Sequence, residues 1–299
     1  MMYHQPVLLH ESIEGLNIRP GGIYVDATYG GGGHSKEILK NLTTGKLVAF
    51  DMDEDAGTNK LNDRRFLFIR HNFRYMKNFL RYHKITKVDG ILADLGVSSH
   101  QFDEAERGFS FRSDAALDMR MNKNSKKNAS TVLNSYSEEK LSDLFYYYGE
   151  IANSRKLAAV IVSARKRKSI TKISQFTEII GDCIPRNFEN KYLAQVFQSI
   201  RIEVNNELVN LQELLKQSVK LVDNKGRLVV ITYHSLEDRL VKNFIKSGNF
   251  EGKPVKDFYG NVSNPFKPVN KNVIVPAEEE IRRNNRARSA KLRIAERVI

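Results

Sequence analysis

The 299 residues predict an α/β fold, a largely parallel sheet interrupted by one helical subdomain between its fourth and fifth strands. Three observations carry that expectation. Short apolar runs, three of them closed by Asp or Gly, alternate with segments of helical spacing as far as residue 96. About 130 residues then separate the fourth such run from the fifth, far more than a crossover connection needs. Much of that interval has the apolar spacing of helices.

The elements follow in order. "GIYVDAT" (22–28) reads as a buried strand running into four glycines, Gly30 to Gly33. "SKEILKNL" (35–42) places Ile38, Leu39 and Leu42 at helical spacing. "GKLVAFD" (45–51) is a second strand, "DAGTNKLND" a helical or turn-like segment, and "RFLFIR" (65–70) a third strand. Phe73, Met76 and Leu80 mark the next helix, and "VDGILADLG" (88–96) is a fourth strand closed by Asp94 and Gly96. Residues 97–136 show little periodicity, whereas 137–180 look helical, with a stripe at Leu157, Val160, Ile161 and Ala164. From Phe197 to Val219 the apolar steps of three and four predict one long helix, ended by "DNKG". "RLVVIT" (227–232) is the fifth strand, "LEDRLVKNFI" a further helix, and "AKLRIAERV" a late edge strand.

Composition narrows the class of function. A net charge of +13, from 48 Lys and Arg against 35 Asp and Glu, favours a polyanionic partner, nucleic acid first, although charge also serves solubility. Residues 112–204 hold sixteen Lys and Arg against ten Asp and Glu, a net of +6, nearly half the excess in a third of the chain. The single cysteine, Cys183, builds neither a disulfide framework nor a thiolate metal site, and no metal is expected. The first residues lack the apolar stretch of a secretion signal. No run approaches the roughly 20 apolar residues that span a bilayer. A soluble, cytoplasmic protein without a membrane partner is expected.

"VDATYGGGGHS" (25–35) carries the first chemical signal. Gly30, Gly32 and Ser35 fit a G-x-G-x-x-small loop between a strand and a helix. Such a loop lets a ligand approach the backbone and the N–H groups of the helix. Asp51, about 20 residues on, suits the two hydroxyls of a ribose. A dinucleotide and S-adenosylmethionine fit these features almost equally. Asp26, just before the loop, tilts the choice: a carboxylate adds nothing to a pyrophosphate site but attracts an α-amino group and a sulfonium. Asp94 closes the fourth strand at the crevice edge, where a transferase would meet its substrate. The plainer readings are a capping carboxylate for Asp26 and an Asx turn before Gly96 for Asp94.

Seven stretches then coincide: "HQPVLLHE" (4–11), "DATYGGGGHS" (26–35), "DGILADLGVSSHQFDEAERGFSFR" (89–112), "LDMRM" (117–121), "FQSIRIEVNNEL" (197–208), "HSLEDR" (234–239) and "RARSAKLRIAER" (286–297). With them the sequence resembles, over nearly its whole length, the bacterial 16S ribosomal RNA cytosine-N4 methyltransferase family (RsmH, once MraW); 55–64 and 249–280 match no motif. The resemblance implies a class I S-adenosylmethionine-dependent methyltransferase, Rossmann-like, made of residues 1–111 and 205–299, with an all-helical substrate-binding insertion at 112–204. It implies S-adenosylmethionine as cofactor and 16S rRNA within the small ribosomal subunit as partner. The reaction would be methylation of the N4 amino group of one cytosine in the decoding centre. Carried over by motif, Gly32, Gly33 and His34 contact the cofactor, Asp51 holds its ribose and Phe73 borders its adenosine, while Asp94 and Gln101 complete the site. Phe73 by itself reads as a core aromatic, and His34 as a residue of a helix N-terminus.

Methyl transfer asks the protein for alignment. The nucleophile is a cytosine amino group whose lone pair is delocalised, so acceptors for its hydrogens are needed. Related amino-methyltransferases place Asp/Asn-Pro-Pro-aromatic at the end of strand four; here the place reads "DLGV", which keeps Asp94 and lacks the aromatic. Phe102, Phe109, Phe111 and Tyr233 are candidates to stack the flipped base. His234 could accept the released proton; the alternative is a helix start with Ser235 as N-cap and Asp238 at the third position. Arg107 and Arg112, interleaved with Phe109 and Phe111, suit a nucleotide and its phosphates, or else a loop packed on the insertion. Arg165 and Arg167, in "RKRK", suit RNA phosphates, or else a solvated helix end. Two rival functions stand beside this one, a nicotinamide oxidoreductase and a non-catalytic RNA-binding or assembly protein. The oligomeric state is open and compatible with a homodimer.

Overall fold

The computed structural model describes residues 6–254 and 264–298. Two units are present, one formed by Met1–Gly96 with Leu208–Ile299 and the other by Val97–Glu207. His4 and Gln5 of the first quoted motif lie outside the described residues.

In chain order the first unit opens with α1 (Leu9–Leu16), β1 (Ile23–Asp26), α2 (Gly33–Asn41), β2 (Lys46–Asp51), β3 (Phe66–Arg70), α3 (Met76–Tyr82) and β4 (Val88–Asp94). The second unit holds α4 (Ser99–Asp103), α5 (Ala129–Ser135), α6 (Glu138–Gly149), α7 (Ser154–Arg165), α8 (Ile173–Ile180) and α9 (Glu189–Asn205). The chain returns through α10 (Glu207–Leu221) to β5 (Val222–Thr232), α11 (Ser235–Ser247), β6 (Phe266–Pro268), α12 (Glu278–Arg283) and β7 (Lys291–Arg297).

The sheet has the order β3-β2-β1-β4-β5-β7-β6. The first five strands are parallel, while β7 runs antiparallel to both β5 and β6. This is a doubly wound α/β sheet whose order reverses between β1 and β4, the position where such sheets open a ligand crevice. The strands read as continuous apolar runs because both faces are covered. The pleat splits them cleanly: Val25, Val48, Phe50, Ile91, Ala93, Leu228 and Val230 enter one core layer, and Tyr24, Leu47, Ala49, Leu92, Val229 and Ile231 enter the other.

Several expectations need correction. The long helix predicted through 197–219 is two helices, broken at Asn206, which takes left-handed φ 52°. Asn adopts that conformation more readily than most residues. Its neighbour Asn205 is drawn aside as well, accepting from Met121 N–H at 2.8 Å and donating to the Met119 carbonyl at 2.8 Å. "DNKG" does not precede β5 but lies inside it, where the pairing with β4 jumps from Val88↔Val222 to Gly90↔Arg227. β7 is not an edge strand, because the three-residue β6 covers it. The helical unit begins at Val97, fifteen residues before 112, because Phe102, Phe109 and Phe111 pack on its own core.

That core centres on Phe145, Ile161, Phe176 and Val196, all fully enclosed, with α6 lying against α7 and α9. Among the described residues no helix is long and apolar enough to cross a membrane.

Candidate active site

Strand register sets the site. Asp26 pairs with Ala49 on β2 and with Leu92 on β4, so Asp51 and Asp94 each stand two residues further along their strands. A step of two keeps all three carboxylates on one face, the face that carries Tyr24, Ala49 and Leu92. They gather at the carboxyl edge of the sheet, beside the start of α2.

Each is held by hydrogen bonds. Asp26 is 1% exposed and accepts from Ser35 Oγ at 2.6 Å and from Thr28 N–H at 3.1 Å. Asp51 accepts from Gly30 N–H at 2.7 Å and from Asp53 N–H at 2.8 Å. The Tyr233 hydroxyl donates to Asp94 Oδ1 at 2.7 Å, and Asp94 N–H donates to Thr28 Oγ1 at 2.6 Å. Burial is the main force on their protonation. It raises Asp26 to about 6, Asp51 to about 6 and Asp94 to about 7. Hydrogen bonds pull the other way, and the charged groups acting on them are carboxylates: Asp53 and Asp26 on Asp51, Asp26 and Glu237 on Asp94.

His34 faces the same space. Its Nε2 lies 3.1 Å from the Val7 carbonyl, which can only accept, so Nε2 carries the proton and Nδ1 presents a lone pair. Nδ1 stands 3.9 Å from Asp94 Oδ2. Burial lowers the His34 pKa to about 4, so the ring is neutral near pH 7 and offsets no negative charge. The edge therefore favours a ligand that brings positive charge.

Two positions of the glycine loop also need their missing side chains for the fold itself. A Cβ on Gly32 (φ +76°) would meet Tyr29 Oη at 2.6 Å, and one on Gly33 would collide with the Pro6 ring. Their missing side chains make room for the protein's own Tyr29 and Pro6, which fixes the turn into α2. Gly30 contributes its N–H to Asp51. Phe73, in the 3₁₀ turn after β3, packs against the core.

At the end of β5, His234 is the N-cap of α11, not Ser235. Glu237, not Asp238, reaches back, accepting from Tyr233 N–H at 2.9 Å. Asp238 instead binds Arg293, with Nε at 2.7 Å. His234 Nε2 is 3.3 Å from Glu237 Oε1, yet neither ring nitrogen makes a hydrogen bond among the described residues. A buried imidazole without a hydrogen bond, beside Glu237, calls for a functional explanation.

Within the helical unit the other candidates are largely engaged. Gln101 Oε1 accepts from Ser98 N–H at 3.1 Å, closing a capping box on α4. Arg107 is 7% exposed and donates to the carbonyls of Arg120 at 2.9 Å and Met121 at 3.2 Å. Its expected role on phosphate gives way to holding the 120–121 segment. Phe109 is buried and so not open to stack a base, whereas Phe111 is half-buried and meets Phe197 edge-on at 5.6 Å. Arg165 donates to the Leu133 carbonyl at 2.6 Å, whereas Arg112 and Arg167 are exposed. Thr28 was missed as a site residue, as were the bond of Tyr233 to Asp94 and the role of Glu237. A signal existed for the last two, since "TYHSLED" follows a strand and contains an acid three residues after the helix cap.

Residues 1–298 match the model of the MraW methylase family. It is 60% identical over 297 residues to a protein of Phocaeicola vulgatus named ribosomal RNA small subunit methyltransferase H, covering 99% of this chain and 98% of that one. A protein of the same name from Flavobacterium johnsoniae is 58% identical, covering 100% and 99%. Among solved structures, a putative methyltransferase from Streptococcus mutans in complex with SAH aligns with a TM-score of 0.46 at 13% identity, over 99% of this chain and 100% of that one.

Proposed function

The chain belongs to the MraW methylase family, and from that premise we propose that it transfers a methyl group from S-adenosylmethionine to the N4 amino group of one cytosine in the decoding centre of 16S rRNA. One observation carries the reading: Asp26, Asp51 and Asp94 share a face at the strand-order reversal, beside the glycine loop. A pyrophosphate would be repelled there, whereas an ammonium and a sulfonium would be drawn in. The donor set thus fits S-adenosylmethionine better than a nicotinamide dinucleotide.

Bound there, S-adenosylmethionine supplies an electrophilic methyl group. Asp51, anchored by two backbone N–H groups, keeps lone pairs to accept from ribose hydroxyls. Asp26 lies where the loop begins and attracts the α-ammonium. Tyr233 pins Asp94 Oδ1, so Oδ2 is the oxygen left to accept a hydrogen from the cytosine amino group. That contact draws electron density toward N4 as its lone pair is recruited. His234, at the end of β5 with neither ring nitrogen in a hydrogen bond and Nε2 3.3 Å from Glu237, is the acceptor for the released proton.

Calorimetric titration with S-adenosylmethionine and with NAD tests the cofactor. Single-turnover methylation of small subunits, with mass analysis of the modified nucleoside, tests the product. Binding of S-adenosylmethionine alone, followed by N4-methylcytidine, is expected. Preference for NAD, or a methyl group on another atom, would overturn the reading.

A further inference from the structure

The β7 strand runs against β5, with Lys291 opposite Thr232 and Arg297 at the far end. The segment before Lys291 therefore stands at the carboxyl edge of the sheet, the edge of Asp26, Asp51 and Asp94. From Ile281 to Lys291 that segment reads "IRRNNRARSAK": five cations and no acid. It is anchored, not loose. Ala287 and Ala290 are buried in the core layer of Leu292 and Tyr29. Leu8 N–H donates to Glu280 Oε1 at 2.8 Å, tying α12 next to Val7, whose carbonyl holds His34. Between these anchors Arg282, Arg283, Arg286 and Arg288 are exposed. Arg282 reaches Glu278 at 3.5 Å and Lys291 reaches Asp238 at 3.6 Å.

A polynucleotide has to bring its backbone over this edge to deliver a base to Asp94. The three acids would repel that backbone, and the repulsion must be offset nearby. We infer that the Arg282–Lys291 segment is a phosphate-binding lip on the carboxyl edge, with Arg283 and Arg288 taking the backbone of the RNA strand that carries the target base. Phosphate contacts of this kind fix register and leave base choice to the pocket. The inference rests on the RNA reading above and names a surface for it on the sheet unit itself.

The test uses the full-length protein, a single-stranded RNA of decoding-centre sequence, and fluorescence anisotropy across a salt series. Arg283→Gln with Arg288→Gln should lower the log–log salt slope by about 1.4, about 0.7 for each single-strand phosphate contact, which is roughly a 25-fold loss of affinity near 0.1 M salt. S-adenosylmethionine affinity and the thermal midpoint should not move. A matched control removes the same charge from the outer face of α11, as Lys242→Gln with Lys246→Gln, two exposed lysines beside Pro268 and Asn270. That pair should change the slope by less than half as much. An unchanged slope in the arginine variant overturns the lip, as does an equal fall in the control, which would mean diffuse attraction. The wild-type methylation assay separates the readings: wild-type turnover with an unchanged slope sinks only the lip, and no turnover sinks the proposed function whatever the slope does.

Discussion

At the carboxyl edge of the sheet unit, Asp26, Asp51 and Asp94 lie among neighbours of their own sign, and the histidine beside them is neutral. In the helical unit each comparable charge meets its complement. Arg120 chelates Asp118 at 2.7 Å, Arg201 grips Glu207 at 2.8 Å, Lys127 reaches Glu203 at 3.2 Å, and Arg107 caps two carbonyls. The first arrangement costs folding free energy and leaves attraction unspent for a ligand. The second spends its attraction on the fold. Substitutions in the two regions should therefore fail in opposite ways.

The largest effect is expected on chemistry. Asp94→Asn keeps an acceptor for Tyr233 but removes the charge and an acceptor position. The single-turnover methylation rate at saturating S-adenosylmethionine should fall on the order of 100-fold, as when one preorganised group is lost. Cofactor affinity must be measured separately. A fall explained wholly by weaker cofactor binding would move Asp94 out of the chemical step.

Next is stability, with opposite signs in the two units. Arg107→Leu leaves two part-buried carbonyls without a charged donor and should cost about 2–3 kcal/mol in denaturant unfolding, with no change in S-adenosylmethionine affinity. Asp26→Asn should do the reverse without ligand. The wild-type carboxyl holds its proton to about pH 6 when folded, against about 3.9 in an unfolded chain. The native state thus binds the proton more tightly, and stability falls as pH rises from about 4 to about 6 and stays lowered above that. Asn has no such loss, and its amide can donate to Ser35 Oγ. The variant should be more stable than wild type by about 1–3 kcal/mol at pH 8, should lose most of that advantage at pH 4.5, and should bind the cofactor more weakly. An advantage of equal size at both pH values would show that charge burial is not its source.

How much of this was readable in the sequence depended on whether a rule linked position to place. A parallel strand delivers its last residue to the carboxyl edge, so Asp26, Asp51 and Asp94 could be located from apolar runs alone. No such rule reaches "ERGFSFR". Its mixture of arginine and phenylalanine looked like a nucleotide surface, yet Phe109 and Arg107 turned inward because the helical core needed a ring and two carbonyls needed a donor. The break at Asn206 was hidden because apolar spacing continues unbroken across it. β6, three residues ending in Pro268, is too short to show any period. The Tyr29 and Pro6 contacts behind the loop were invisible because glycine reports that space is needed and not what fills it.

The smallest expected effect separates two arginines two positions apart. Arg165 and Arg167 share one basic run, and residue type gives both the same role. Their surroundings differ. Arg165 ends α7 and donates to the Leu133 carbonyl at 2.6 Å, while Arg167 lies past the helix and is exposed. If residues with a structural partner serve the fold and exposed ones serve RNA, the two substitutions should part company. Arg165→Gln should lower stability by about 1 kcal/mol, less than the about 1.5–3 kcal/mol of a bond to a charged group because the site is partly exposed, and leave the salt slope of RNA binding alone. Arg167→Gln should leave stability alone and reduce that slope by about 0.7–0.9, one phosphate contact. Because a slope change of that size is small, it needs affinities at four or more salt concentrations and the same RNA throughout. If Arg165→Gln changes the slope as much as Arg167→Gln does, a carbonyl partner does not withdraw an arginine from the RNA surface. The contrast drawn between the two units would then hold for buried groups such as Arg107 but not for half-exposed ones.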